Sequence, residues 1–523
     1  MSSQNDKMIH SAYIHLILLP LVPIFFYEMH YDRFSGHYSI PIIGVIITVV
    51  ATSFALWCLL SFLQKNKTIV AIITSILLIW FFSYQYLYNA IHPFLVFHNV
   101  ILGRDRFLLP LYFCLLLVAF MILGILLKKD SNRTIKISSW LSALALAIFL
   151  VFTLSEVKVH ISAHSNTHFD ILPTSGNVSV PTASSDNIVK PDVYYIICDA
   201  YPSSSGLIRF CNFDNHDFLT ELEKRGFYLP ESSTSNYPFT QLSFASFLNM
   251  EYLENPTQRT MGPQKYYSVL NDLIANNRIM HVFEENHYHS IKIGSWWKSD
   301  HPGFSTYCVQ YLSLLMDILN KSVLKPYIES SGVNNQQRVL FFTTLDKLEK
   351  AIKEKQYPKF VFAHIYCPHP PFCFQANGEK PPLNMLLSKD QPHQGFLLRE
   401  QVKYLNKVLL ATIDTILSNS RVEPIIILQG DHGAAFVFST IMDTKTMPDS
   451  TFLKYQFRIL NAYKAPEQIK RQLYNKITPV NSFRIIVSTL FGCKLDRLPD
   501  KNYYASHINP CKHWEVNSIV QNQ

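Results

Sequence analysis

Hydrophobic residues are distributed very unevenly along the 523-residue chain. Five long apolar stretches, separated by short polar segments, lie near its start, at residues 11–27, 39–63, 69–88, 107–127 and 137–154. A helix needs about 20 apolar residues to cross about 30 Å of hydrocarbon. One such stretch could be a buried core helix, but five in succession predict a transmembrane domain of five helices at residues 1–154.

The cationic residues of the connecting segments predict the orientation of these helices. The N-terminal segment and the second and fourth loops are the more basic, with Lys7, Lys65, Lys67, Lys128, Lys129, Arg133 and Lys136. The first and third loops carry fewer cations, namely Arg33, Arg104 and Arg106. By the positive-inside rule, we expect a cytoplasmic N-terminus and, after five crossings, an external location for everything beyond residue 155. An external domain rarely meets nucleic acid, so the formal net charge of +8 requires no nucleic-acid partner.

The composition changes after the last apolar stretch. Residues 155–190 are rich in Ser, Thr, Asn and Pro and have no sustained periodicity, which predicts a linker. The rest of the chain, residues 191–523, is expected to form one globular domain. Seven of the nine cysteines lie in this outer part, and Cys367 and Cys373 are one candidate pair, but their odd number and irregular spacing leave the connectivity open.

Short apolar runs alternate with amphipathic stretches in residues 191–523. Four of the runs are typical of buried strands: PDVYYIICDAYPSS (191–204), HSIKIGSWW (289–297), KFVFAHIYCPHPP (359–371) and EPIIILQGDHG (423–433). Helical stretches lie between or beside them, at residues 218–227, 343–355 and 396–420. This alternation predicts an α/β domain with a mostly parallel central sheet.

Three of the predicted strands end in ionisable residues. Asp199 follows the first strand, His369 the third, and Asp431 with His432 the fourth. Ligands of parallel α/β sheets bind beyond the carboxyl ends of the strands, so we expect these side chains at one common edge.

A threonine completes a candidate metal site. Thr240 opens the apolar stretch TQLSFASF, and together with Asp199, Asp431 and His432 it could surround one divalent cation. Two carboxylates and an imidazole suit zinc or manganese, and the cation would make the threonine hydroxyl a usable nucleophile. The alternatives are a simple helix N-cap for Thr240 and a solvated turn for Asp431 and His432.

Two further interpretations depend on single residues. His369 could bind substrate or merely rigidify a proline-rich loop. Trp297 and Lys298 could form a platform for a phosphorylated headgroup, although aromatic packing is the commoner role of such a tryptophan.

The order of these motifs resembles the alkaline phosphatase/sulfatase superfamily. An aspartate at a strand end, TxxS opening a helix, HPP and finally GDHG follow one another, most similarly to the membrane-bound branch of lipoteichoic acid synthases and phosphoethanolamine transferases. Members of that branch have five membrane spans followed by an external catalytic domain. The resemblance implies that Thr240 is the nucleophile, that Asp199, Thr240, Asp431 and His432 hold the metal, and that His369 lies near the phosphoryl oxygens.

The sequence also departs from the pattern of this superfamily. Asp199 stands where the branch usually has glutamate. Thr240 and Phe244 occupy the cysteine or serine and the arginine positions of the sulfatase motif, which disfavours formylglycine sulfatase activity. Ile365 replaces an aspartate that two-metal relatives use, so a second permanent metal is not expected unless the adjacent His364 contributes instead.

The resemblance implies a membrane-anchored phosphotransferase of the cell envelope that depends on one Mn or Zn ion. It would move a phosphoglycerol- or phosphoethanolamine-type headgroup from a membrane phospholipid donor to a glycan or lipid acceptor through Thr240. The multi-pass protein would lie in the inner or plasma membrane with a periplasmic or extracellular catalytic domain. The alternatives are a sulfatase-like phosphodiesterase or hydrolase and a non-catalytic relative that binds envelope components.

Overall fold

The computed structural model describes residues 13–22, 39–97, 105–127, 131–164, 190–253, 263–294, 314–316, 318–319, 322–324, 333–386, 391–438 and 447–521. By its internal contacts the chain divides into one unit of residues 1–167 and 300–332 and a second unit of residues 168–299 and 333–523. The sequence does not predict that residues 300–332 belong with the first unit. The predicted boundaries at 154 and 190 stay predictions.

The first unit is helical where it is described. Its helices are α1 (Ile14–Leu18), α2 (Ser39–Ser61), α3 (Lys67–Phe97), α4 (Asp105–Leu127) and α5 (Ser131–His164). Helix α5 continues ten residues into the predicted linker, whose residues 165–189 lie outside the described part of the chain.

Among the described residues, three helical segments are long and apolar enough to cross a membrane: Ile43–Ser61, Lys67–Tyr84 and Asn132–Val151. They correspond to the second, third and fifth predicted spans. The fourth prediction falls on α4, whose apolar part Leu109–Leu123 is shorter. Only residues 13–22 of the first predicted span are described.

A buried histidine connects three helices of this unit. Nδ1 of His15 lies 2.7 Å from Ser75 Oγ on α3, and Nε2 lies 2.8 Å from Ser138 Oγ on α5. Its backbone N–H donates to Ser142 Oγ at 3.2 Å. A polar side chain inside an apolar bundle is costly unless it is paired, so these bonds favour one arrangement of α1, α3 and α5.

The described residues 314–316, 318–319 and 322–324 also pack in the first unit, although they follow the second predicted strand in the sequence. Leu314 and Ile318 are buried in a cluster that includes Leu21, Val45 and Leu78. The Val323 N–H donates to the carbonyl of Phe81 at 3.0 Å.

The second unit is built on the predicted parallel sheet. In the described part of the chain its strands are β1 (Val193–Cys198), β2 (His289–Ile293), β3 (Lys359–Ile365), β4 (Ile425–Gly430) and β5 (Asn461–Lys464). Their order is β2-β3-β1-β4-β5. The first four strands run parallel, as the alternating pattern predicts, and β5 pairs antiparallel with β4 at one edge. Two short strands, β6 (Tyr503–Tyr504) and β7 (Trp514–Glu515), form a separate antiparallel pair.

Helices cover both faces of the sheet. The described ones are α6 (Ser204–Cys211), α7 (His216–Lys224), α8 (Thr240–Phe247), α9 (Pro263–Ala275), α10 (Arg278–Glu285), α11 (Val333–Lys353), α12 (Leu383–Leu386), α13 (Gln391–Asn419), α14 (Ser450–Phe457), α15 (Glu467–Lys470), α16 (Pro479–Phe491) and α17 (Asn517–Val520). The predicted helical stretches fall on α7, α11 and α13.

Strand β1 has an apolar core on each side. Tyr195 and Ile197 contact the cluster that includes α8, α9 and α16, whereas Tyr194 and Ile196 contact the cluster that includes α11 and α13. Successive side chains of a strand point to opposite faces, so a strand covered on both faces has to be apolar throughout. The ionisable residues therefore fall at the ends of these strands, where the apolar layers stop.

Candidate metal centre and active site

The strand register brings the two predicted acidic ligands together. Cys198 of β1 is paired with Gly430 of β4, and Asp199 and Asp431 are the residues that follow them. Both carboxylates are buried at the carboxyl edge of the sheet, with relative exposures of 1% and 0%. Because parallel strands end at the same edge, chain segments more than 200 residues apart meet here.

One oxygen of Asp431 is used to shape the turn. Asp431 Oδ1 accepts a hydrogen bond from the Ala200 N–H at 2.9 Å and another from the His432 N–H at 3.0 Å. The other oxygen, Oδ2, is buried and has no hydrogen-bond partner within the described residues. The turn thus fixes the carboxylate and leaves one anionic oxygen available to a ligand.

The ring of His432 faces the two carboxylates. Its Nδ1 lies 2.8 Å from the carbonyl oxygen of Gly433, which can accept a hydrogen bond from it. The other ring nitrogen, Nε2, is then the one available to a metal ion. It lies 3.5 Å from Asp431 Oδ2 and 3.7 Å from Asp199 Oδ1.

Thr240 is the first residue of α8, and its hydroxyl reaches the same place. Thr240 Oγ1 lies 3.4 Å from His432 Nε2, and the residue is only 7% exposed. No side chain among the described residues caps the helix at Phe239. The sequence alone left open whether Thr240 is a plain cap, and the structure places its hydroxyl beside His432, whose ring in turn lies near Asp199 and Asp431.

Ser243, the second hydroxyl of the TxxS motif, holds α8 against the turn. Its Oγ lies 2.9 Å from the carbonyl oxygen of Asp431 and 3.1 Å from that of Tyr237. The spacing of three residues puts Thr240 and Ser243 on one side of the helix. Thr240 therefore faces the cluster, and Ser243 fixes the helix that carries it.

The structure adds His364 to the predicted set. This residue of β3 is 1% exposed, and its Nε2 lies 3.2 Å from Asp199 Oδ2. Ligand atoms of Asp199, His364 and Asp431 all lie within 4.8 Å of one another. The signal in the sequence was a histidine inside the apolar run KFVFAHIYC, which the strand pattern by itself marks only as a core position.

The electrostatics of the two carboxylates differ. Burial raises the pKa of Asp199, but the nearby His369, His364 and His432 outweigh it and lower this pKa to about 2. Burial and the neighbouring Asp199 raise the pKa of Asp431, despite the opposing effect of His432. Two acidic groups with opposite shifts in one buried site are typical of functional sites.

The unpaired atoms at this edge fit a divalent cation. Asp199 Oδ1, Asp431 Oδ2 and both ring nitrogens of His364 are buried without hydrogen-bond partners in the described parts of the chain. Leaving such groups unpaired costs about 1–3 kcal/mol each, and more for a charged group. Carboxylate oxygens and imidazole nitrogens are ligands of Zn²⁺ and Mn²⁺, so one cation could be bound by the two carboxylate oxygens together with one nitrogen of the His364 ring.

His369 lies next to this cluster. Its backbone N–H donates to the carbonyl oxygen of Asp199 at 3.0 Å, and its ring centroid is 6.5 Å from that of His432. The ring stacks on Phe436 at 5.1 Å. The structure therefore places His369 at the same strand edge, whereas Trp297 and Lys298 lie outside the described residues.

The described cysteines are all free, including Cys367 and Cys373, which are both buried. The candidate disulfide between these two is absent from the described structure. The thiols instead pack in the apolar cluster on the α11 and α13 side of the sheet.

Comparison with known proteins gives fold likenesses only. No protein-family model and no curated protein matches the sequence. Among solved structures, the chain is similar to the C-terminal periplasmic domain of EptC from Escherichia coli in complex with Zn, with 11% identity, coverage of 66% of this chain and 99% of that chain, and a TM-score of 0.41.

Two other solved structures show the same range of similarity. The periplasmic domain of phosphoethanolamine transferase EptC from Campylobacter jejuni has 13% identity, coverage of 62% and 95%, and a TM-score of 0.36. The 2-O GAG sulfatase BT1596 has 10% identity, coverage of 61% and 73%, and a TM-score of 0.36. A phosphoethanolamine transferase and a sulfatase are thus among the structural neighbours of this chain. All three TM-scores lie below 0.5.

Proposed function

We propose that the protein is a membrane-anchored, metal-dependent phosphotransferase with Thr240 as its nucleophile. The observation that supports this is the contact of a buried hydroxyl with His432, beside two carboxylates and a second imidazole that have buried ligand atoms without hydrogen-bond partners in the described structure. A binding module for a glycan or lipid would have no use for a buried hydroxyl facing such a group.

Asp199, Thr240, Asp431 and His432 are the residues that would hold the metal. A divalent cation bound there would supply Lewis-acid stabilisation of negative charge on a phosphoryl oxygen and would lower the pKa of the threonine hydroxyl. Asp431 is oriented for this by the Ala200 N–H, and His432 by the carbonyl of Gly433. Such outer partners fix the direction in which each ligand points.

Thr240 would attack the phosphorus atom of a phosphodiester. A bond forms between Oγ1 and phosphorus, the bond from phosphorus to the departing alcohol breaks, and in the net balance that alcohol leaves with the threonine proton. The backbone N–H groups and dipole of the α8 N-terminus favour the negative phosphoryl oxygens. A second hydroxyl compound then takes the group from the threonine and restores its hydroxyl.

We infer that the donor is a membrane phospholipid. The three spans recognised among the described residues, together with the charge pattern of the loops, support a bundle of five helices and an extracytoplasmic catalytic unit. A catalytic unit tethered to the bilayer meets lipid headgroups at high effective concentration. The acceptor would be a glycan or lipid hydroxyl of the envelope, and His369 would contact the phosphoryl group.

The test uses the full chain reconstituted in vesicles of phosphatidylethanolamine and phosphatidylglycerol. We expect metal-dependent release of diacylglycerol, and Thr240→Ala should lower its rate by at least about 1,000-fold because the nucleophile is lost. The matched control is Thr220→Ala, which removes a hydroxyl on the exposed side of α7 and should leave the rate unchanged. Persistent release by Thr240→Ala would remove this residue from the mechanism.

The fate of the headgroup separates transfer from hydrolysis. Wild-type protein that converts the lipid only to a soluble headgroup phosphate, even when envelope glycans and lipids are supplied, would be a phosphodiesterase. Transfer of the headgroup to an added acceptor supports the phosphotransferase.

A further inference from the structure

We propose that His364 is a ligand of the same cation, so that the centre holds one metal ion through two carboxylates, two imidazoles and Thr240. The assignment rests on the proposed metal-dependent function and extends it by one ligand. It also excludes a separate second metal at this position.

The distances fit a single ion. His364 Nε2 lies 3.2 Å from Asp199 Oδ2, and the ligand atoms of His364, Asp199 and Asp431 lie within 4.8 Å of one another. Ligand atoms bound at about 2.0–2.2 Å around a tetrahedral zinc ion lie about 3.3–3.6 Å apart. The contact between His364 and Asp199 is already this short, and a shift of about 1 Å by the more distant atoms would bring all three within range of one centre.

The ring of His364 contacts the polar side chain of Asp199. It is 1% exposed, its Nε2 lies 3.2 Å from Asp199 Oδ2, and its Nδ1 is buried without a hydrogen-bond partner in the described parts of the chain. The ring of Phe244 packs edge-on against the imidazole at 4.9 Å. A buried imidazole beside a carboxylate is a favourable metal ligand, because a cation bound to one ring nitrogen would also neutralise the neighbouring charge of Asp199.

The neighbouring residue explains why a second ion has no place here. Ile365 offers no ligand atom, and it is fully buried in the apolar cluster on the opposite face of the sheet. His364 points to the other face because successive strand residues alternate. A neutral imidazole also leaves a divalent cation balanced by two carboxylates, whereas a third carboxylate would add an uncompensated buried charge.

The experiment measures metal binding by the full chain in detergent after removal of bound metal. Zn²⁺, Mn²⁺ and Co²⁺ are titrated separately, with calorimetry for the affinity and elemental analysis for the stoichiometry. We expect one ion per wild-type chain and at least about 100-fold weaker binding by His364→Gln, because even the loss of an outer-shell partner costs about 10–100-fold.

Two control variants separate coordination from general damage. Phe362→Leu changes a fully buried residue two positions earlier on β3 that offers no ligand atom, and His281→Gln removes an exposed imidazole from α10. Both should keep the wild-type affinity. His364→Cys tests ligation directly, because a thiolate bound to Co²⁺ gives a charge-transfer band in the near ultraviolet that a thiol elsewhere does not.

Each outcome bears on a different claim. Wild-type affinity in His364→Gln, no charge-transfer band in a cobalt-loaded His364→Cys, or two ions per wild-type chain would each overturn the assignment of His364 while leaving the proposed function in place. Failure of the wild-type protein to bind any of the three cations would overturn the metal-dependent function itself. If His364→Gln does not fold, the presence or absence of the cobalt band in His364→Cys decides the assignment.

Discussion

Substitution of Gly433 by alanine tests how closely the GDHG turn (residues 430–433) is packed against the backbone. A Cβ atom at residue 433 would lie 2.0 Å from the carbonyl oxygen of Tyr455, with the carbonyl oxygens of Gln456 and Arg458 at 3.0 and 3.1 Å. These atoms belong to the backbone at the end of α14, so no side-chain rotation can relieve the clash. Gly433 itself donates its N–H to Gln456 O at 2.6 Å, which shows how close the two segments are.

The expected magnitude follows from these distances. An ordinary contact begins at 3.4 Å, so the turn or the end of α14 has to move by more than 1 Å. Overpacking of this kind costs about 1–3 kcal/mol of unfolding free energy. A displacement of about 1 Å in a catalytic group costs about 100-fold in rate, and the residues displaced here would be Asp431 and His432.

The assay compares Gly433→Ala with Gly206→Ala in the full chain. The nearest atoms to a Cβ at residue 206 are side-chain atoms of Pro202 at 3.3 Å and Ser203 at 3.7 Å. Alanine is also favoured over glycine in a helix such as α6, by up to about 1 kcal/mol. We expect Gly206→Ala to keep wild-type thermal stability, zinc affinity and turnover, and Gly433→Ala to lose all three. Wild-type zinc affinity and turnover in Gly433→Ala would refute the view that this backbone contact positions the ligands.

Three further predictions concern single side chains. Asp431→Asn should weaken zinc binding by at least about 100-fold, because an anionic ligand is lost. The chain should stay folded, since the amide oxygen can still accept a hydrogen bond from the Ala200 N–H. Unchanged metal content would contradict the ligand assignment. Burial lowers the pKa of His513 from 6.5 to about 4, so the unfolded chain binds more protons between these values, and stability should fall by about 3 kcal/mol as the pH falls through this window. His513→Asn should flatten that part of the stability profile in denaturant unfolding, and an unaltered slope would show that another group titrates. The buried carboxylate of Glu251 lies 3.2 Å from the guanidinium of Arg484. Arg484→Met leaves this carboxylate without its cation and should lower the free energy of unfolding by about 3–5 kcal/mol. If the double variant with Glu251→Met is no more stable than Arg484→Met, the unpaired carboxylate is not the cause.

The sequence by itself determined four strands of the sheet and the position of the acidic site residues at the strand ends. Alternating apolar and amphipathic stretches located four strands of the sheet, and Asp199 and Asp431 stand directly after two of them. These two features can be read from one segment alone. A strand that is covered by helices on both faces is apolar along its length, and the first polar residue after it marks where the helices no longer cover it. A parallel sheet then brings the strand ends to one edge, and the residues predicted there do meet.

Only the tertiary structure decided which further side chains lie beside Asp199 and Asp431. His364 is a core position by its pattern, and it faces Asp199 because the register of β1 and β3 pairs it with Ile197. The antiparallel β5 and the packing of Leu314 and Ile318 in the first unit are likewise absent from the local pattern. Register and packing depend on contacts between residues far apart in the chain, and the periodicity within one segment carries no information about its partner.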